Sequence, residues 1–273
     1  MNALENILIF LDSKMKEPTM YGWFHIMFLV IIILLLVLIK KKYSNLSVSK
    51  IKKILLFYAF ACLTLEVYKQ INFSFNYDEL KTWWSYPWYI FPFQFCSVPM
   101  YVALIAGFTK NEKIQKACFA FLGTYSLIAG LSCMIYPETV FVTTIGINIQ
   151  TMIHHGSMVV IGFLLLMNNK IEYNFKSLYY ATIVFIICVL SALLIDITTY
   201  YLNIGEGLKM FFISPFHQSS LPVFSIIYDK VPYLVFLLIY LVLFFIGSFI
   251  VLKISQILNN LFKKEKTEIK RNI

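Results

Sequence analysis

Seven stretches of about 20 mostly apolar residues recur along this 273-residue chain, each long enough to cross the hydrocarbon core of a bilayer as a helix. A β-barrel would instead need alternating segments of about ten residues, and these runs are continuous. Composition agrees. Hydrophobic residues make up 60% of the chain and charged residues 14%, against roughly 45–50% and 25% in soluble domains. The expected fold is all-α: a polytopic membrane protein built as one seven-transmembrane-helix bundle, with no room for a separate soluble module.

The spans are predicted at 21–39, 54–71, 89–108, 117–136, 148–167, 177–201 and 232–254. Lysines cluster after the first span (Lys40, Lys41, Lys42), between the third and fourth (Lys110, Lys113, Lys116) and after the fifth (Lys170, Lys176). Basic residues in short loops stay on the cytoplasmic side, which places the N-terminus outside and the C-terminus inside. The division is residues 1–20 as an interfacial segment, 21–255 as the membrane domain and 256–273 as a basic cytoplasmic tail. In the first segment Leu4, Ile7, Leu8 and Leu11 form an amphipathic pattern. Trp83, Trp84, Tyr86 and Trp88 mark the outer interface. The loop 202–231 is apolar enough to lie on the membrane or fold back over the bundle.

The net charge of +9 does not indicate nucleic acid, because the lysines follow the membrane topology and no Arg-rich, aromatic-interleaved tract is present. The preference for lysine over arginine suggests an AT-rich bacterial genome, hence the plasma membrane of a bacterium. Five cysteines, Cys62, Cys96, Cys118, Cys133 and Cys188, all fall in predicted spans without CxxC or zinc-finger spacing. Most are read as small packing residues.

Polar groups inside the spans are costly and are functional candidates by default. At about 1.5 Å per residue they lie one to two turns below the outer ends. They are His25 on the first span, Glu66 on the second, Gln94 and Cys96 on the third, His154 and His155 on the fifth, and Asp196 on the sixth. This shared depth predicts a polar cavity open to the outer leaflet. His154 and His155 differ in direction by about 100°, so one of them at most points squarely at a given partner. A thiol needs a base to become a nucleophile, and an imidazole at the same depth supplies one. His25 or Gln94 would stabilise an oxyanion. Glu66 with Lys69 also reads as an intrahelical ion pair, Cys96 as a packing residue and Asp196 as a helix pin. A metal site built from His25, Glu66, His154 or His155 and Asp196 is the rival chemistry, but no HExxH-type ligand spacing supports it.

The Pro92-Phe93-Gln94-Phe95-Cys96-Ser97 stretch, the Tyr136-Pro137 end of the fourth span and Ile153-His154-His155-Gly156 on the fifth resemble the YwaF-like integral membrane family, which includes the animal transmembrane protein 164. His25 matches an early histidine of that family. The chain departs from it at Gln94, where a histidine is common, and at Leu202-Asn203-Ile204, which lacks the usual tyrosine. The resemblance implies a phospholipid acyltransferase working through a cysteine and a histidine. By motif these are Cys96 and His154, with His155 the close alternative. Membrane phospholipids are the expected partners, and no cofactor is expected. The alternatives are a transporter or lipid-binding protein that uses the same cavity without chemistry, and a receptor-like seven-helix protein.

Overall fold

The computed structural model describes residues 3–205 and 207–271, with side chains described as far as Leu261. The last two residues of the expected basic tail lie outside the described residues. The helices are α1 (Ala3–Leu11), α2 (Trp23–Lys42), α3 (Val48–Ser74), α4 (Val98–Phe108), α5 (Glu112–Phe121), α6 (Leu127–Ile135), α7 (Ile145–Met167), α8 (Phe175–Tyr201), α9 (Pro222–Tyr228) and α10 (Tyr233–Arg271). A π-turn, Leu122–Ser126, joins α5 and α6 into one rod. Six elements are long and apolar enough to cross a membrane: α2, α3, the α5–α6 rod, α7, α8 and Tyr233–Leu261 of α10. The protein is a polytopic helical membrane protein. In α7, 72% of the apolar window is buried, against 17% in α10. That contrast makes α7 the central helix, packed against α2, α3 and α6, while α10 faces lipid along most of its length.

The third expected span, 89–108, is helical only in its second part. Trp88–Ile90 is a short 3-10 turn and α4 begins at Val98. Pro92 explains the interruption. Its ring cannot donate a backbone hydrogen bond, and it pushes the preceding residue toward extended backbone; Phe91 adopts φ −44°, ψ 131°. Pro99 falls in the first turn of α4, where a missing N–H is tolerated. The segment still runs the length of α3 in the opposite direction. Gln70 Nε2 donates to the Ile90 carbonyl at 2.8 Å at one end, and Lys52 Nζ to the Thr109 carbonyl at 2.7 Å at the other.

Non-helical backbone is tolerated at membrane depth only where it is covered by protein and its polar groups are satisfied. Both conditions hold. Tyr101 donates to the Pro92 carbonyl at 3.0 Å, His154 Nε2 to the Cys96 carbonyl at 2.9 Å, and the Ser97 and Val98 amides to Gln94 O at 2.9 and 3.1 Å. The loop after α8 folds back over this segment rather than standing free: Leu208, Met210, Phe211 and Ile213 are buried. Phe211 stacks on Phe95 with ring centres 5.2 Å apart.

The end of the bundle that carries α1 holds a small β-hairpin that no periodicity announced. β1 (Phe75–Tyr77) pairs antiparallel with β2 (Thr82–Trp84), with Phe75 opposite Trp84. The amphipathic helix expected near the N-terminus is α1. It buries Leu8, exposes Leu4, Ile7 and Phe10, and accepts a 2.9 Å hydrogen bond from Thr82 at Glu5.

Asp12 fastens this N-terminal segment to the bundle. Its carboxylate accepts from Lys14 (2.7 Å), Thr144 (2.9 Å) and Tyr77 (3.1 Å). Burial alone would raise its pKa, but the hydrogen bonds from Lys14 and Thr144 and the Lys14 charge outweigh that and hold it below the ordinary 3.8. A carboxylate depressed in the folded state stabilises fully above its unfolded value, and the stabilisation disappears as pH falls through the folded value. We therefore expect melting in detergent to become acid-sensitive below about pH 4 through this residue. Asp12→Asn should melt lower than the parent at neutral pH, and the gap between them should close as the pH falls below that point.

Candidate functional site

α7 carries both histidines on its buried length, and consecutive residues give the two rings different work. A carbonyl oxygen can only accept, so the 2.9 Å contact between His154 Nε2 and the Cys96 carbonyl puts the proton on Nε2. His154 Nδ1 is buried without a partner. His154 therefore holds the backbone at Cys96. The ring of His155 is rotated away, centred 5.8 Å from that of His154. Its Nδ1 lies 2.8 Å from the Thr151 carbonyl one turn back, which places that proton on Nδ1 and leaves the Nε2 lone pair free. The ring faces two thiols, Cys96 from the irregular segment and Cys133 from α6. A thiol, a ring nitrogen and an orienting acceptor behind the ring are thus assembled around Cys96.

The approach of α6 to α7 depends on Gly130. A Cβ there would sit 2.8 Å from Met158 Cβ and 2.9 Å from the His155 carbonyl oxygen. Cys133 follows Gly130 by three residues, so the same close approach turns its thiol toward His155. His25 secures the end of this helix. Its Nδ1 accepts from the Tyr21 amide at 3.0 Å, which leaves Nε2 to donate to the Met134 carbonyl at 2.9 Å. With both nitrogens engaged, and the ring against Tyr21 and Phe141, His25 serves as a fastener.

Glu66 is buried. Its Oε1 accepts from Lys69 at 2.8 Å and Gln70 at 2.6 Å, while Oε2 has no partner. The ion pair is within electrostatic range of the Cys96 thiol. Gln70 carries the connection on to the Ile90 carbonyl and the Tyr86 hydroxyl. The environment of Cys96 is therefore polar on the α3 side. Cys62, one turn before Glu66, pairs with Ser157 at 3.8 Å.

Gln94 and Asp196 face away from this group and clamp the loop after α8. Gln94 donates to the Lys209 carbonyl at 3.2 Å and accepts from the Phe211 amide at 3.1 Å. Asp196 accepts from the Met210 amide at 2.7 Å, and its second oxygen is buried and unpartnered. Phe211 and Phe212 both have positive φ, 54° and 60°. Bulky residues rarely adopt that conformation, and it costs on the order of 1–3 kcal/mol per residue. The two side-chain clamps and the Tyr240 hydroxyl on the Phe211 carbonyl, at 3.1 Å, hold it in place.

The residues expected to share one cavity therefore form three groups. Cys96, His154, His155 and Glu66 lie together, Gln94 and Asp196 grip the loop, and His25 pins α6. Among the described residues, no three His, Cys, Asp or Glu side chains come together in a way that could hold a metal ion. Sequence reasoning placed Thr151 on the face of His155 but missed Cys133 as a neighbour of that ring. Cys133 had a usable signal, since it lies one turn inside the outer end of its span, level with the histidines.

A sequence model of the TMEM164 family matches residues 20–252. No curated protein and no solved structure matches the chain.

Gly130→Val should force α6 off α7 and destabilise the protein by roughly 1–3 kcal/mol, read as lowered thermal stability in detergent, with Gly130→Ala intermediate. Unchanged melting of both variants would mean that the helices do not approach this closely.

Proposed function

The chain belongs to the TMEM164 family, and from that premise we propose that it is an integral membrane lipid acyltransferase in which Cys96 is the nucleophile and His155 the general base. The observation that carries this reading is the His155 ring set against the Cys96 and Cys133 thiols, with its Nδ1 committed to the Thr151 carbonyl. His155 takes the thiol proton as sulfur attacks an acyl ester carbonyl. It then returns that proton to the departing alkoxide, which leaves a thioester on Cys96 and a lysolipid alcohol. An incoming lipid hydroxyl gives its proton to His155, attacks the thioester and restores the thiol. Atoms and charge balance without a cofactor.

Three features support the assignment. Cys96 directly precedes Ser97, the N-cap of α4, so the positive end of that helix lies beside the sulfur and any oxyanion formed there. The bond from His154 fixes the nucleophile's backbone, which assigns His154 a positioning role. The surrounding apolar helices bring acyl chains to the site from the bilayer itself.

The topology belongs to the same proposal. We read the stretch from Ile90 to Thr109 as a seventh crossing that is half irregular. Lysine-bearing ends at α2, at the α4–α5 turn and after α7 then put the N-terminus outside, the C-terminus inside and Cys96 in the outer half of the plasma membrane.

Acyl transfer between phospholipids by purified protein in liposomes tests the chemistry. Cys96→Ser and His155→Ala should each lower the rate about 10²–10⁴-fold while remaining folded, the usual range for losing a positioned proton-transfer group. His154→Ala should lose stability, with any activity loss no larger than its loss of folded protein. Full activity in both Cys96→Ser and His155→Ala would refute the dyad.

A further inference from the structure

A cavity of about 290 Å³ lies at the far end of the bundle from Cys96, between the start of α5 and the turn leading into α8. From His155 to the end of α7 at Met167 is about 18 Å along the helix, so this is a separate site. Its lining includes Lys113, Lys116, Lys170 and Lys176, with Ser177 and Tyr180 contributing hydroxyls. Glu112 and Glu172 also border it. Glu172 already accepts from Asn174 at 2.8 Å, and the four ammonium groups outnumber the two carboxylates.

None of these four lysines makes a side-chain hydrogen bond or ion pair among the described residues, whereas Lys14, Lys52 and Lys69 elsewhere each engage an acceptor. Four like charges around one concavity repel one another unless an anion joins them. The two flanking helices add to the positive potential. α5 and α8 both begin here, capped by Asn111 and Asn174, which accept from the first-turn amides. The remaining wall is apolar, through Ile171, as suits a ligand that carries both charge and hydrocarbon.

We infer that this cavity binds a phosphate-bearing anion of headgroup size. Tyr180 and Ser177 hydrogen-bond the phosphate ester, and the lysines neutralise it. Two sources present this chemistry at a membrane surface: the headgroup of an anionic phospholipid, or a free phosphate from the aqueous side. The site takes no part in the chemistry at Cys96 and stands independently of it.

Native mass spectrometry of the full chain released from nanodiscs tests the inference. Nanodiscs of phosphatidylcholine with and without phosphatidylglycerol are compared, with inorganic phosphate added in a further arm. Saturable retention of one phosphatidylglycerol per chain that resists inorganic phosphate identifies the headgroup. Retention of phosphate, or displacement of the lipid by it, identifies the free anion. In either case the fourfold change of Lys113, Lys116, Lys170 and Lys176 to Gln should weaken binding on the order of tenfold or more. The same four changed to Arg should keep it, which separates charge from folding. Lys41, Lys42, Lys50 and Lys53 changed to Gln should leave it intact. Absence of both ligands, or an equal loss in that control, would overturn the inference.

Discussion

Hydrocarbon offers no hydrogen bonds, so every backbone carbonyl placed in it must find a partner within the protein. The hydrogen bond from His154 to the Cys96 carbonyl answers that constraint in the irregular segment that precedes α4. In the interrupted segment the carbonyls of Pro92 and Cys96 are taken up by Tyr101 and His154. What the interruption leaves is the Cys96 thiol displayed at the start of a helix instead of along its flank. The loop after α8 and the aromatic stack of Phe95, Phe211 and Phe185 close over the same segment, so a strained loop and a broken span support each other.

Two adjacent histidines at one depth have no packing rationale, and the structure gives them separate tasks. One turn of α7 places the Thr151 carbonyl behind His155 and fixes its tautomer, while the neighbouring ring is consumed by the backbone. The same reasoning separates the carboxylates. Glu66 is engaged by Lys69 and Gln70 beside the thiol, while Asp196 holds a loop amide and never approaches it.

Much of the architecture was legible because apolar runs of about 20 residues and lysine-bearing turns are one-dimensional signals. Six of the expected spans appear as membrane-length helices, although the second starts six residues before its predicted start and the last runs at least seven residues past its predicted end. The seventh was legible only as an apolar run, since hydropathy does not register that Pro92 removes a backbone donor. Depth was readable from span ends, and it put Cys96 at the level of the histidines and Glu66, together with His25 and Asp196, which turn out to serve other elements. Direction was not. The roles of Gln94 and Asp196 depend on a loop whose path is set by positive φ at two phenylalanines, which no residue preference foretells. Cys133 was overlooked because its approach to His155 depends on the missing side chain of Gly130, a feature of packing rather than of composition.

The central claim is that Cys96 carries the acyl group. The most direct measurement is mass spectrometry of protein quenched during turnover with a phospholipid donor. The account predicts an acyl adduct on the peptide containing Cys96, released by neutral hydroxylamine as a thioester, and absent from Cys96→Ser protein. Steady turnover with no adduct on that peptide, or with the acyl group on another residue, would contradict it.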